Sequence, residues 1–350
     1  MSWQLSQFRA GDLVEIRSRE EILATLDADG CKDNLPFMPE MLQYCGQQVR
    51  VGAVAHKTCE TARKTAKGRK LTASVHLTGL RCDGSAHGGC QAACNLFWKD
   101  LWLKPVPSPN GGAETRPAGA CTEAALHERA RVAPADSSQE PRYSCQATRL
   151  YEATSPLPSW DLRQYIYDIR TGNHKARHAL RVLWFAFLTR CLRHAPFGYR
   201  FIKSLRERMH RRWMGRDVPD FEGIIPLGQP TPTGRLAVSP GDVVRIKSKE
   251  EIVRTLDRAG KNRGMRFDIE LAPFCGRTAK VLASVTKIID ERTGAMMPMK
   301  QPCITLENVA CRSYYSDCRL LCPRAIPSYW REIWLEKVAG NALEPEAPAK

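Results

Sequence analysis

The sequence predicts an α+β protein: two tandem small β-barrel domains with cysteine-rich insertions, joined by a basic α-helical segment. Three observations carry this. The chain repeats itself, each copy alternates apolar and polar residues at strand spacing, and the stretch between the copies has helical spacing and concentrated positive charge.

The repeat begins at Gly11-Asp12-Leu13-Val14-Glu15-Ile16, which returns as Gly241-Asp242-Val243-Val244-Arg245-Ile246. Over Gly11 to Gly30 the offset is a constant 230, and 12 of 20 positions are identical. Chance would give about one. The register runs on through Phe37/Phe267, Glu40/Glu270, Cys45/Cys275 and Val51/Val281, and the closing Trp98…Trp102-Leu103 parallels Trp330…Trp334-Leu335 at offset 232. This divides the chain into a first repeat (8–106), a flexible linker (107–142), a basic helical segment (143–216), a connector (217–235), a second repeat (236–338) and a loose tail (339–350).

Within each copy, Asp12 to Ser18 alternates as a half-buried strand does, and Arg19 to Leu26 shifts to helical spacing. Val49 to Val54 and Ala73 to Leu80 read as further strands, and the Trp-x-x-x-Trp-Leu tail as a last one. The Gly-Asp entry, the short strands and the aromatic closing strand resemble an SH3-like barrel. The segments Leu35 to Glu40, His56-Lys57-Thr58-Cys59 and Arg81 through Cys94 also resemble a bacterial protein family with no activity attached to it, so that resemblance implies no function.

In the middle segment, Ser159 caps a predicted helix over 160–170 that Gly172 stops. Two more are predicted over 174–194 and 199–213. Between Asp161 and Arg216 stand 14 Lys/Arg against three Asp/Glu, so most of the chain's net charge of +16 is local. Arg181, Arg190, Arg193, Arg200, Lys203, Arg206, Arg211 and Arg212 are the candidate anion contacts. They imply an anionic partner, a membrane surface or an acidic protein ahead of nucleic acid. The competing use is a solvated face on helices whose apolar stripe packs on the barrels.

Apolar residues make up 43% and charged residues 26%, an ordinary globular balance. The apolar run Val182–Leu188 is far short of the roughly 20 residues a membrane span needs. The N-terminal stretch lacks an apolar signal core, so a cytoplasmic location is expected.

Fourteen cysteines in a reducing compartment point to metal ligands rather than disulfides. The first repeat holds C-x7-C-x3-C (Cys82, Cys90, Cys94) with His87 inside it and Cys59 or His56 as further donors. The second holds C-x6-C-x3-C (Cys311, Cys318, Cys322) with Cys303. Gly84, Gly88 and Gly89 give the first loop the freedom to turn its donors inward. Either set suits zinc or an iron–sulfur cluster. The alternative is that these are buried apolar thiols, and Cys45 and Cys275, each before a strand-opening glycine, read that way. Cys121 and Cys145 lie in or beside the polar linker; Tyr143 to Thr148 reads as a short strand emerging from it, which adds either a strand or a ligand to the first half. No phosphate-loop, dinucleotide, nucleophile-elbow or zincin motif is present. The expected function is a metal-binding tandem-repeat scaffold. A metal- or cluster-dependent redox enzyme centred on the first repeat and a nucleic-acid-binding protein are the alternatives.

Overall fold

The chain is α+β, and its strands pair antiparallel in several small sheets. The computed structural model describes residues 3–62, 67–106, 121–132, 141–194, 198–215, 217–218, 222–316 and 319–338.

In the first repeat the alternation of Leu13–Ile16 drives Val14 and Ile16 inward, and both are fully buried. This strand lies between Gln48–Val54 and Leu103–Pro105 in a five-stranded sheet that continues through Ser74–Leu77 to Trp98–Lys99. Val14 stands opposite Val49 on one side and Pro105 on the other. The register slips between Val51 and Ala53, so Gln48–Val54 bends there. Next comes the short helix Arg19–Leu23, held by a reciprocal cap. Ser18 Oγ accepts from the Glu21 N–H at 3.3 Å, and Glu21 Oε2 accepts from the Ser18 N–H at 2.9 Å. The core closes on Phe37, whose ring meets Trp102 edge-on at 5.1 Å.

The second repeat is built from the same parts. Val243–Ile246 lies between Thr278–Ile289 and Leu335–Lys337, with Met296–Leu306 beyond, in a four-stranded sheet. Ser248 and Glu251 repeat the cap, and Phe267 meets Trp334 edge-on at 5.1 Å.

Between the repeats, helices Arg163–Arg170, Ala176–His194 and Tyr199–Met214 follow the predicted spans closely. Two expectations need correction. Part of the expected linker is ordered: Thr122 caps a helix at Glu123–Ala130, and its Leu126 packs into the first core beside Cys121. The strand expected around Cys145 is confined to Arg142–Tyr143, and Cys145 instead precedes the helical turn Gln146–Arg149. The rest of 107–142, and the tail from 339, lie outside the described residues.

The chain divides into two compact units. The first is Met1–Val182 with Lys287–Pro298 and Asp317–Ala325, so it includes the tip of the second repeat's long hairpin and part of its cysteine loop. The second is Leu183–Thr286 with Met299–Ser316 and Ile326–Lys350.

Candidate metal centre

Glu40 lies in the 3-10 turn Pro39–Tyr44, where the proline at the first position fixes the entry. Its carboxylate points into the first unit and is only 4% exposed. Facing it is the cysteine loop, whose base is pinned by the Cys82 N–H donating to the Cys94 carbonyl at 2.9 Å. The loop then folds back on itself: the N–H groups of His87 and Gly89 both donate to the Gly84 carbonyl at 3.0 Å. Gly84 adopts φ +73, and a Cβ there would lie 2.0 Å from the Cys90 carbonyl oxygen, so this turn requires glycine.

The fold-back brings three donors together. Ligand atoms of Glu40, Cys82 and His87 all lie within 4.8 Å of one another. His87 Nδ1 is 2.5 Å from Glu40 Oε1, and Cys82 Sγ is 4.0 Å from the same oxygen. The other ring nitrogen, Nε2, is 3.1 Å from the Ser144 carbonyl. A carbonyl only accepts, so Nε2 carries a hydrogen and Nδ1 offers its other function to the carboxylate. At that distance Nδ1 and Oε1 are in hydrogen-bond contact, and both would turn a lone pair toward a cation held there. Glu40 Oε1 also accepts from the Ala86 N–H at 3.1 Å, while Oε2 is buried with no hydrogen-bond partner. A buried carboxylate oxygen left bare is costly unless a cation compensates it. Burial first, then Glu40 beside it, push the Cys82 thiol well above its ordinary range. A metal ion bound there would favour its thiolate.

The other predicted donors are distributed differently. Cys90 Sγ accepts from the Ile289 N–H at 3.3 Å. Cys94 is half-buried near Arg324, and desolvation pushes its thiol up to about 12. Cys59 is 2% exposed, and the Cys322 thiol holds its pKa below the ordinary range, at about 6, against burial. Cys303 packs 3.6 Å from Met265 Sδ, and Cys311 Sγ is 3.4 Å from Ser313 Oγ. Cys303 and Cys311 belong to the second compact unit and Cys322 to the first, and Cys318 lies outside the described residues. The three cysteines of each loop do not all correspond. Cys311 N–H donates to the Ile326 carbonyl as Cys82 does to Cys94, which makes Ile326 the counterpart of Cys94 and Cys322 that of Cys90. Cys121 and Cys145 belong to the first core; Cys45 and Cys275 pack against their own cores as expected.

His56 is committed elsewhere. Its Nε2 donates to the Gln164 carbonyl at 3.1 Å, and burial, then neighbouring Lys57, lower its pKa to about 3. Lys57 Nζ donates to Asp168 Oδ2 at 2.5 Å and to the Leu320 carbonyl at 2.9 Å. Glu40, Ser144 and Asp168 were not candidates from sequence. For Glu40 a signal existed: an acid kept at the same place in both copies beside apolar residues (Phe37-Met38-Pro39, Phe267-Asp268-Ile269).

Of the basic residues, Arg190, Arg193, Arg200, Lys203, Arg211 and Arg212 are exposed and Arg181 is half-buried. Arg206 is a correction. It is 6% exposed, with its guanidinium 5.8 Å from the Phe185 ring centre, because it shares the inward side of its helix with the buried His210. No helix among the described residues is long and apolar enough to cross a membrane. Comparison with protein-family models, with curated proteins and with solved structures returns no match.

Proposed function

We propose that this is a metal-binding scaffold protein whose first repeat holds one divalent ion, zinc by preference, on Glu40, Cys82 and His87. The observation that carries the reading is the unpartnered Glu40 Oε2 next to a histidine whose tautomer is fixed by a backbone carbonyl. Zinc takes carboxylate, thiolate and imidazole donors together, and its histidines characteristically donate their second N–H to such a carbonyl. Three protein donors leave a fourth position for water or a partner's side chain. To accept the ion, Nδ1 and Oε1 must part from 2.5 Å to roughly 3.3 Å. A single thiolate in the trio favours zinc over an iron–sulfur cluster. The antiparallel frame with its Gly-Asp entry supports an SH3-like reading of each repeat, and a thiolate centre suits the reducing cytoplasm.

The test is metal analysis of the full chain, followed by cobalt substitution. The expected result is one ion per chain and a thiolate-to-cobalt charge-transfer band that Cys82→Ser removes and Cys311→Ser leaves intact. A fully folded chain that binds no zinc or cobalt after reduction would sink the reading.

A second reading concerns the basic helices. Trp184 and Phe187 stack at 5.4 Å and are about half exposed, and Tyr199 and Phe201 are exposed at 51% and 73%. With Arg190, Arg193, Arg200 and Lys203 around them, they have the chemistry of a surface that lies on anionic lipid. Phosphatidylserine vesicles should retain the protein, phosphatidylcholine vesicles should not, and Phe201→Glu should weaken retention. Preferential retention on single-stranded nucleic acid would instead favour the third alternative.

A further inference from the structure

Resting on the metal reading above, we propose that Lys287, a residue of the second repeat, positions the metal loop of the first and sets how tightly it holds its ion. Lys287 lies near the end of the strand Thr278–Ile289, in the part of the second repeat that belongs to the first compact unit.

Three hydrogen bonds join this strand end to the loop just past His87. Lys287 Nζ donates to the Gly88 carbonyl at 2.8 Å, and the Lys287 N–H donates to Gln91 Oε1 at 3.2 Å. The Gln91 N–H returns to the Lys287 carbonyl at 3.1 Å. The turn of the same hairpin holds the other side of His87. Its Gly294 carbonyl accepts from the Tyr143 N–H at 2.8 Å, and the next residue, Ser144, supplies the carbonyl that His87 Nε2 meets. Gly88 and Gly89, both at positive φ, run between these supports. A Cβ would lie 2.4 Å from Tyr143 Oη at Gly88 and 3.3 Å from Lys287 Nζ at Gly89. The direction of the imidazole toward Glu40 is therefore set from outside its own repeat.

The clasp is reciprocal, which marks it as built rather than incidental. Lys57 is the counterpart of Lys287 at offset 230, and its Nζ donates to the Leu320 carbonyl at 2.9 Å. Leu320 stands two residues before Cys322, as Gly88 stands two before Cys90. Each copy's lysine thus reaches the same carbonyl in the other copy's loop. Thr61 and Glu291, also at offset 230, hydrogen-bond each other. Within the first compact unit this is the pattern of a two-fold interface, in which i meets j and j meets i. Arg319 precedes Leu320 where His87 precedes Gly88, so only the first loop offers the clasp a metal ligand to act on.

Charge and positioning predict opposite signs. A lysine repels a nearby metal ion, so its loss would tighten binding if charge were the whole effect. Loss of a support for a ligating histidine weakens binding instead, by about 10–100-fold. The experiment measures the zinc affinity of the full chain by chelator competition, with urea unfolding of the metal-free protein alongside. Lys287→Met should weaken zinc binding about 10–100-fold and leave the metal-free urea midpoint unchanged. Lys287→Arg should restore the affinity, because a guanidinium still donates to the carbonyl. Arg292→Ala, which removes an exposed charge from the same hairpin turn, should leave it unchanged. Gln91→Ala cuts the clasp from the loop side and should repeat the loss, which keeps the test alive should Lys287→Met not fold. Zinc held as tightly or more tightly by both clasp variants, or a loss matched by destabilisation of the metal-free chain, would overturn the role of Lys287 and leave the metal trio standing. A wild-type chain that binds no zinc would overturn both.

Discussion

Both repeats bury a glutamate at the same place, Glu40 in the first and Glu270 in the second, and each carboxylate receives the cysteine loop that follows. The way they receive it differs. Glu270 accepts three backbone N–H groups, from Tyr314, Tyr315 and Ser316, at 2.8 to 3.1 Å. Glu40 accepts one, from Ala86, and faces an imidazole and a thiol with its second oxygen bare. An ancestral loop anchor is thus complete in one copy and open to a ligand in the other. The difference lies in the loops: the second repeat contains no histidine at all, and Tyr314 stands where the first carries the residues leading to His87.

The largest way to separate the two halves is pH. Burial lowers His56 to about 3, His76 to about 4 and His174 to about 4, all in the first unit. Depressed histidines contribute stability that is present above about pH 6.5 and lost as pH falls toward 4. Asp168 has the opposite sign: burial raises it to about 6 despite Lys57, so its contribution shrinks as pH rises from 4 to 6 and offsets one histidine. The net slope is about 3 kcal/mol per pH unit. Amide exchange between pH 6.5 and 4 should show the first core losing protection well before the second. Parallel loss in both would break the contrast.

Next in size is the anchor itself. Glu270→Ala strands three N–H groups, one buried and two part-buried, and should cost about 3 kcal/mol in urea unfolding whether or not zinc is present. Glu40→Ala strands one and should cost less in metal-free protein, the gap closing when zinc is added. Equal costs in both states would mean that Glu40 is a loop anchor and nothing more.

Zinc sharpens the same point. At a hundredfold excess over Kd it should add about 2.7 kcal/mol to the wild type and nothing to His87→Ala. The smallest effect tests the shared frame: Ser18→Ala and Ser248→Ala should each cost about 1 kcal/mol, because both break the same cap. A large inequality there would show that the copies' frames have diverged as much as their loops.

Much of the frame was legible in the sequence because its determinants are local. Alternation buried Val14 and Ile16, Ser18 and Glu21 are three residues apart, and the aromatic tail sits at constant spacing. The site was only half legible. His87 and Cys82 belong to one loop and were found together, but Glu40 comes from a separate turn and had served only as a register marker. Counting cysteines equated Cys94 with Cys322, and only the ladder at the loop base reveals Ile326 as the counterpart. The meeting of Lys57 with Leu320 leaves no local trace, since neither strand period nor helix spacing reports on chain folded back from the other copy.

That meeting has a consequence for how the chain matures. The first unit needs Lys287–Pro298 and Asp317–Ala325 to be complete. On a ribosome adding 5–20 residues each second, Leu320 follows Lys57 by about 13–50 s. For that interval the first repeat waits with Lys57 uncovered, so its final closure is a late, end-of-synthesis event. Copies made as separate polypeptides would have to find each other by diffusion to reach the same state.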